Sequence, residues 1–197
     1  MDKDKATIIK LFNTRIKGKK FDPTNFTVAH DGKEGHWIEK LMGIKPNADN
    51  RPDILGYEMK KDAPKISFGD WSASEAIWKV KRPDPRVPKL DRDTEFLAYF
   101  GQPNASKQNR LSWSGKPIPK IDTYNTFGQI LRVESNGNLV IYYSFNEDKR
   151  INKYKLIPAN LQKNNLILAV FSKEKMQAHV EEKFNNKGFF ICFKDKY

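Results

Sequence analysis

Apolar side chains recur along the chain at two different periods, which predict helices in some segments and strands in others. Apolar positions three and four residues apart predict helices over residues 6–16, 37–42, 94–100 and 173–184. A capping-box pattern, in which Ser72 is followed by Glu75, predicts the start of one more helix.

Strands are predicted where apolar runs are short and are bounded by turn residues. They cover residues 54–59 with a bend at Gly56, and residues 127–134, 139–145, 165–171 and 188–193. Asn136-Gly137 separates two of these runs and predicts a hairpin. Residues 101–125 show no period and predict a long loop. The mixture predicts a single α/β domain over residues 1–197, because no segment has the composition of a linker.

Composition excludes several classes of protein. The 197 residues are 38% apolar and 12% aromatic, which is enough for a packed core and excludes a disordered chain. No apolar run approaches the length that a membrane span needs, so no membrane partner is expected. The single cysteine, Cys192, excludes an internal disulfide framework and fits a reducing cytoplasm.

The charge of the chain predicts a polyanionic partner. Lys and Arg number 36 against 24 Asp and Glu, which gives a formal net charge of +12. The excess is spread along the chain, whereas residues 53–100 hold nine acidic and nine basic residues and are neutral. A basic globular protein of this kind suggests nucleic acid as the partner, and the alternative is a soluble basic protein without a polyanionic partner. The acidic side chains of the neutral segment are therefore candidates for chemistry.

A cluster of acidic and basic residues lies in the segment that begins Pro52-Asp53 and continues to Glu58-Met59-Lys60. Hydrolysis of a phosphodiester needs a hard cation held by oxygen ligands, which the Asp53 and Glu58 carboxylates and the Met59 carbonyl could supply. Residues two apart in a strand face the same way, so Glu58 and Lys60 would point into one site. Lys60 could then orient water or offset phosphate charge. The alternative is a surface strand pair with solvated charges.

A third acidic residue lies on the helix predicted just before this segment. Glu39 shares that helix with apolar neighbours, where a carboxylate is costly unless it faces a cleft or a cation. His36 precedes it by three residues, so both side chains would share one helix face.

Residues 32–62 resemble the PD-(D/E)XK nuclease motif, in the variant of the MutH-like and MvaI/BcnI-like enzymes. Those enzymes have a Gly-x-x-Ile/Leu-Glu helix, an Asp, and a closely following Glu-x-Lys. The corresponding residues here are Gly35 to Glu39, Asp53, and Glu58-Met59-Lys60. The resemblance covers about 30 residues closely and the later hairpin and strand more loosely.

The resemblance implies a PD-(D/E)XK restriction-endonuclease-like core, with a mixed central sheet flanked by helices. It implies a type II restriction endonuclease of the bacterial cytoplasm, which uses Mg²⁺ to cleave double-stranded DNA at a short specific sequence. Asp53 and Glu58 would be the metal ligands, Lys60 a catalytic residue, and Glu39 a supporting acid.

Contacts with DNA are expected from basic residues near the motif and in the predicted loop. Arg, Asn and Gln can bind base edges and Lys binds phosphates, so the portion around residues 101–160 is the candidate for recognition. The candidate DNA-binding residues are Lys61, Lys65, Lys107, Arg110, Lys116 and Lys173.

Two alternatives to a restriction enzyme stay open. A MutH-like repair enzyme would nick one strand, and a DNA-binding module would bind without cutting. MvaI-like relatives often continue past the last strand into a basic region, whereas this chain stops after it. We therefore expect a fragment with a missing C-terminal region, a shortened relative, or a homodimer that completes the grip on DNA.

Overall fold

A computed structural model describes residues 2–21, 33–45, 51–62, 72–105, 108–113, 117–185 and 187–192, with the exception of the Lys61 side chain. The chain divides into two compact units. The first contains residues 1–69 and 177–197, and the second contains residues 70–176. No helix in the described ranges is long and apolar enough to cross a membrane.

Helices and strands alternate along both units. In chain order the elements are α1 (Lys3–Arg15), α2 (Lys33–Met42), β1 (Glu58–Lys61), β2 (Glu75–Ala76), a π-helical turn (Arg92–Phe96) that leads into α3 (Leu97–Phe100), β3 (Gln102–Asn104), β4 (Arg110–Ser112), β5 (Phe127–Val133), β6 (Leu139–Asp148), α4 (Lys153–Leu156), a 3-10 turn (Ala159–Leu161), β7 (Leu166–Phe171), α5 (Lys173–Phe184) and β8 (Phe189–Cys192).

The first unit is built around a parallel pair of strands. β1 and β8 pair with Glu58 opposite Phe189. Ile8 of α1 and Ile38 of α2 belong to the same buried cluster as Met59 and Cys192, so the apolar faces of both helices cover this pair. Burial raises the pKa of the Cys192 thiol to about 11, which makes it an unreactive core residue.

The second unit is built around a four-stranded antiparallel sheet with the order β2-β7-β6-β5. Alternate residues of β6 and β7 face one core, in which Tyr143 and Leu168 are completely buried. Phe96 and Phe100, from the helical segment before β3, pack into the same cluster with ring centroids 5.4 Å apart. This core is the larger of the two.

Most of the predicted elements are confirmed, with ends that differ by a few residues. The helices around residues 6–16, 37–42, 94–100 and 173–184 are present, as are the hairpin at Asn136-Gly137 and the strands near 165–171 and 188–193. The mixed α/β class is confirmed. A PD-(D/E)XK core and a single nuclease domain over residues 1–197 stay predictions.

The helix predicted to begin at Ser72 is wrong. Glu75 and Ala76 instead form a short edge strand that pairs with β7. Ser74 donates its backbone N–H to the Val170 carbonyl at 2.7 Å, and Ala76 and Ile77 are buried against the sheet. Pairing with a strand almost 100 residues away outweighs the local capping signal. The free energy gained by burying apolar side chains is larger than the free energy gained from one helix cap.

The loop predicted over residues 101–125 is partly wrong. β3 and β4 form a small antiparallel hairpin there, with Pro103 opposite Leu111. Strands of three residues are too short to show an alternating pattern, so periodicity does not detect them. The predicted strand over residues 54–59 is also shorter than expected and begins only at Glu58.

Candidate active site

A tight turn brings Asp53 next to the start of β1. Ile54 and Tyr57 exchange two backbone hydrogen bonds of 3.0 and 2.8 Å around Leu55 and Gly56. Both central residues have positive φ, 49° at Leu55 and 84° at Gly56, as in a type I′ hairpin turn. Glycine adopts this conformation freely, but a leucine there costs roughly 1–2 kcal/mol. The strain lies next to the acidic residues and favours a functional reason for the turn.

The pairing of this turn places Asp53 opposite Glu58. An antiparallel pair that joins residue 54 to residue 57 continues to residues 53 and 58, whose side chains then share a face. The Asp53 Oδ2 atom accepts the backbone N–H of Met59 at 2.9 Å. The two predicted carboxylates are therefore neighbours.

Glu58 is a buried carboxylate held by two lysines. Its side chain is only 2% exposed, and its Oε1 atom accepts from Lys60 Nζ at 2.7 Å. Lys183 Nζ of α5 lies 3.4 Å from the same oxygen. Among the described residues no donor bonds to the other oxygen, Oε2. A buried carboxylate oxygen without a partner is costly, so this atom is suited to a cation.

The surroundings of Asp53 disfavour its charged form. Burial raises the pKa of its carboxyl, the Met59 N–H lowers it, and the negative charges of Glu58 and Glu39 raise it again, to about 6 in all. A divalent cation would relieve the repulsion between these carboxylates, because it supplies the opposite charge at short range.

Met59 presents its backbone to the same side as Asp53. The backbone N–H groups of Glu58 and Asp62 donate to the carbonyls of Gly188 and Cys192. The backbone N–H and C=O groups of the even-numbered residues of β1 therefore point towards β8. Met59 faces the opposite edge, where its N–H bonds to Asp53. The N–H and C=O of one strand residue point to the same edge, so the Met59 carbonyl lies on the side of Asp53.

Glu39 lies within electrostatic reach of this pair. It is on α2, and its Oε2 atom is 3.0 Å from His36 Nδ1, so the two residues share a helix face as expected. The described residues contain no group of three or more His, Cys, Asp or Glu placed to hold a metal ion. The donors that do fit a hard cation are the Asp53 carboxylate, the free oxygen of Glu58 and the Met59 carbonyl.

Lys183 is the residue that sequence reasoning missed. Its side chain is mostly buried and it shares Glu58 with Lys60. Phe184, the next residue, lies 6.0 Å from Lys60 Nζ and stacks on Phe189 of β8. The Phe184 ring thus borders Lys60 with apolar surface, which strengthens the attraction of Lys60 to Glu58. The sequence offered only a weak signal, a basic residue in the last turn of a helix.

The structure describes the positions of some of the predicted DNA-binding residues and not of others. Arg110 is exposed at the start of β4, and Lys173 is exposed at the start of α5, where its backbone N–H donates to Asn138 Oδ1 at 3.0 Å. Both belong to the second unit. Lys65, Lys107 and Lys116 and the side chain of Lys61 lie outside the described residues. These assignments stay predictions.

Comparison with known proteins shows the family of this chain. Residues 16–197 match the LlaMI restriction endonuclease family. The chain is 41% identical over 214 aligned residues to "Type II restriction enzyme ScrFI" of Lactococcus lactis subsp. cremoris. The alignment covers 99% of this chain and 78% of that protein. No solved structure matches significantly. The prediction of a type II restriction endonuclease is confirmed, whereas membership of the MutH-like or MvaI/BcnI-like group stays a prediction. The chain belongs to the LlaMI restriction endonuclease family.

Proposed function

We propose that this restriction endonuclease cleaves double-stranded DNA at a short specific sequence with Mg²⁺, through a PD-(D/E)XK site formed by Asp53, Glu58 and Lys60. One observation carries the proposal. A buried glutamate lies beside a second carboxylate, with a lysine on one of its oxygens and no partner for the other among the described residues. A surface strand pair with solvated charges would not bury Glu58.

The proposed metal ligands are Asp53, the Oε2 atom of Glu58 and the carbonyl of Met59. Magnesium prefers carboxylate and carbonyl oxygens and keeps several waters, so a site with few protein ligands suits it. When bound, it would stabilise charge on the phosphate and acidify water.

Lys60 and Lys183 have different roles in this proposal. Lys60 lies on the face of β1 that carries Glu58, so its ammonium group can orient the attacking water and offset the charge that develops on the phosphate. Lys183 stays on Glu58 Oε1 and keeps that carboxylate in place while Lys60 turns to the DNA. Glu39, held by His36, supports the site as a hydrogen-bond acceptor for water.

The first test is plasmid cleavage with and without Mg²⁺, for wild type and for Asp53→Asn. Wild type should give discrete fragments only with Mg²⁺. Asp53→Asn should cut more than about 100-fold more slowly, because loss of even an outer-shell partner of a metal typically costs 10–100-fold. DNA binding in a gel shift with Ca²⁺ should stay within a few-fold of wild type.

Asp62→Asn is the matched control, since Asp62 is an exposed carboxylate just past β1 and should retain wild-type cleavage. Cleavage by Asp53→Asn at the wild-type rate would refute the site. Open circles without linear product would show a nicking enzyme. A salt-sensitive shift without any cutting would show a binding module.

A further inference from the structure

The turn after β6, together with the first residues of α4, combines exposed apolar side chains with positive charge. We call residues 149–155 the basic turn. Ile151 is fully exposed, at 102% of its reference area, and Tyr154 is 72% exposed. The 15 residues from 149 to 163 contain five Lys and Arg and no Asp or Glu. Exposed apolar side chains that lie together and are bordered by polar residues mark interaction sites, and here Ile151 has cations before and after it in the chain.

Hydrogen bonds and an ion pair hold the basic turn in place. Arg150 pairs with the buried Asp148 carboxylate at 2.6 Å and donates to the Tyr99 carbonyl at 2.8 Å. Lys153 Nζ donates to the Phe145 carbonyl at 2.8 Å. The backbone N–H of Lys149 bonds to the Thr126 carbonyl. Two of the four cations of this turn therefore anchor it, and Ile151 is presented on a fixed backbone.

The other two cations, Lys149 and Lys155, are exposed on the surface of the turn. Lysines on either side of an apolar tip combine the two kinds of side chain that a DNA groove accepts, since phosphates there border the sugar and base edges. A second copy of this chain is a poor partner, because two such turns would bring like charges together. The charge therefore selects a polyanion.

We propose that the basic turn contacts duplex DNA, with Lys149 and Lys155 on phosphates and with Ile151 and Tyr154 against the groove between them. This inference rests on the proposed function, since it gives the nuclease a DNA contact that none of the motif residues provides. A rigid turn loses little conformational entropy on binding, so its contacts contribute nearly in full.

The experiment measures the dependence of DNA affinity on salt concentration. The probes are a 30-base-pair duplex that contains the mapped cleavage site and a duplex of the same length without it, both in Ca²⁺. Lys149→Gln combined with Lys155→Gln should flatten the slope of log K against log[salt] by about 2, since each phosphate contact contributes about 0.9. Ile151→Ala should weaken binding about five- to tenfold with the slope unchanged.

The matched control is Lys5→Gln combined with Lys10→Gln, which removes the same charge from the exposed side of α1. Equal flattening in this control would show an effect of net charge only and would overturn the inference. So would a wild-type slope in the variant of the basic turn. A dimer that Ile151→Ala converts to monomers, with DNA binding unchanged, would show an interface between copies.

Failure of the inference and failure of the proposed function are distinguishable. If wild type cuts the plasmid and the basic-turn variants bind DNA as wild type does, only the inference fails. If wild type never cuts with a divalent metal, the proposed function fails, although the salt slopes can still be measured with the other 30-base-pair duplex. Melting temperatures equal to that of wild type establish that the variants are folded.

Discussion

At the scale of single residues, Glu58 carries its carboxylate in a place that water scarcely reaches. Lys60 and Lys183 both approach one of its oxygens. Removing one partner from a buried charged group is costly, because the remaining charge loses its compensation. Lys183 is thus a positioning residue in the proposed site, since it acts through Glu58 and not on the substrate.

Lys183→Met should lower the rate of cleavage by about 10–100-fold and raise the Mg²⁺ concentration for half-maximal rate, because Glu58 then draws Lys60 away from the DNA. Lys183→Arg should restore most of the rate, since it keeps the charge. Affinity for DNA in Ca²⁺ should not change. Lys175→Met, an exposed lysine of the same helix, is the control. Equal loss in the Met and Arg variants would contradict a role in positioning.

At the scale of elements, the β5–β6 hairpin depends on an irregularity near its open end. The register between the strands shifts between Phe127 and Gln129, at Gly128. Gly128 has φ of 69°, and a Cβ atom there would lie 2.6 Å from the Ser144 carbonyl oxygen and 2.8 Å from the Asp148 nitrogen. This bulge lies against the backbone of Asp148, whose side chain pairs with Arg150 of the basic turn.

Gly128→Ala should reduce the free energy of unfolding by about 2–4 kcal/mol, because the backbone atoms that a methyl group would meet cannot move aside cheaply. Urea denaturation measures the change. Gly35→Ala is the control, since a Cβ at Gly35 of α2 meets nothing within 4 Å. Alanine favours helix there, so a gain of up to about 1 kcal/mol is expected. A fully stable Gly128→Ala variant would contradict the close approach.

At the scale of the whole molecule, the proposed metal site couples to stability. The Asp53 carboxyl, with its pKa raised to about 6, is ionised near neutrality in a place that disfavours the charge. A cation that binds only the folded protein stabilises it by mass action, about 1.4 kcal/mol at tenfold excess over Kd. The repulsion between carboxylates is then a cost that the metal removes.

Thermal denaturation at pH 7.5 should show a melting temperature that rises with Mg²⁺ for wild type, by about 3–6 °C at tenfold excess over Kd. Asp53→Asn should melt higher than wild type without metal, because one repelling charge is gone, and should not respond to Mg²⁺. Asp62→Asn should follow wild type in both conditions. The same Mg²⁺ response in Asp53→Asn would place the metal elsewhere.

Local sequence patterns predicted the helices and strands whose apolar residues recur at a clear period. α1, α5 and the β5–β6 hairpin have apolar residues at intervals that show their period, so these elements could be predicted from the chain. β2, β3 and β4 have two or three residues each and no period. Their existence depends on partners, such as β7 for β2, that no local pattern reveals.

The sequence by itself determined which residues of the candidate site lie close together. A spacing of two places Glu58 and Lys60 on one face of any strand, and the short segment after Asp53 keeps both carboxylates close. Only the tertiary structure decided that Lys183, 125 positions after Glu58, joins them, and that no donor among the described residues bonds to the second oxygen of Glu58. The reason is physical, because burial and long-range ion pairs depend on how distant segments pack, whereas side-chain direction along a strand is a local property.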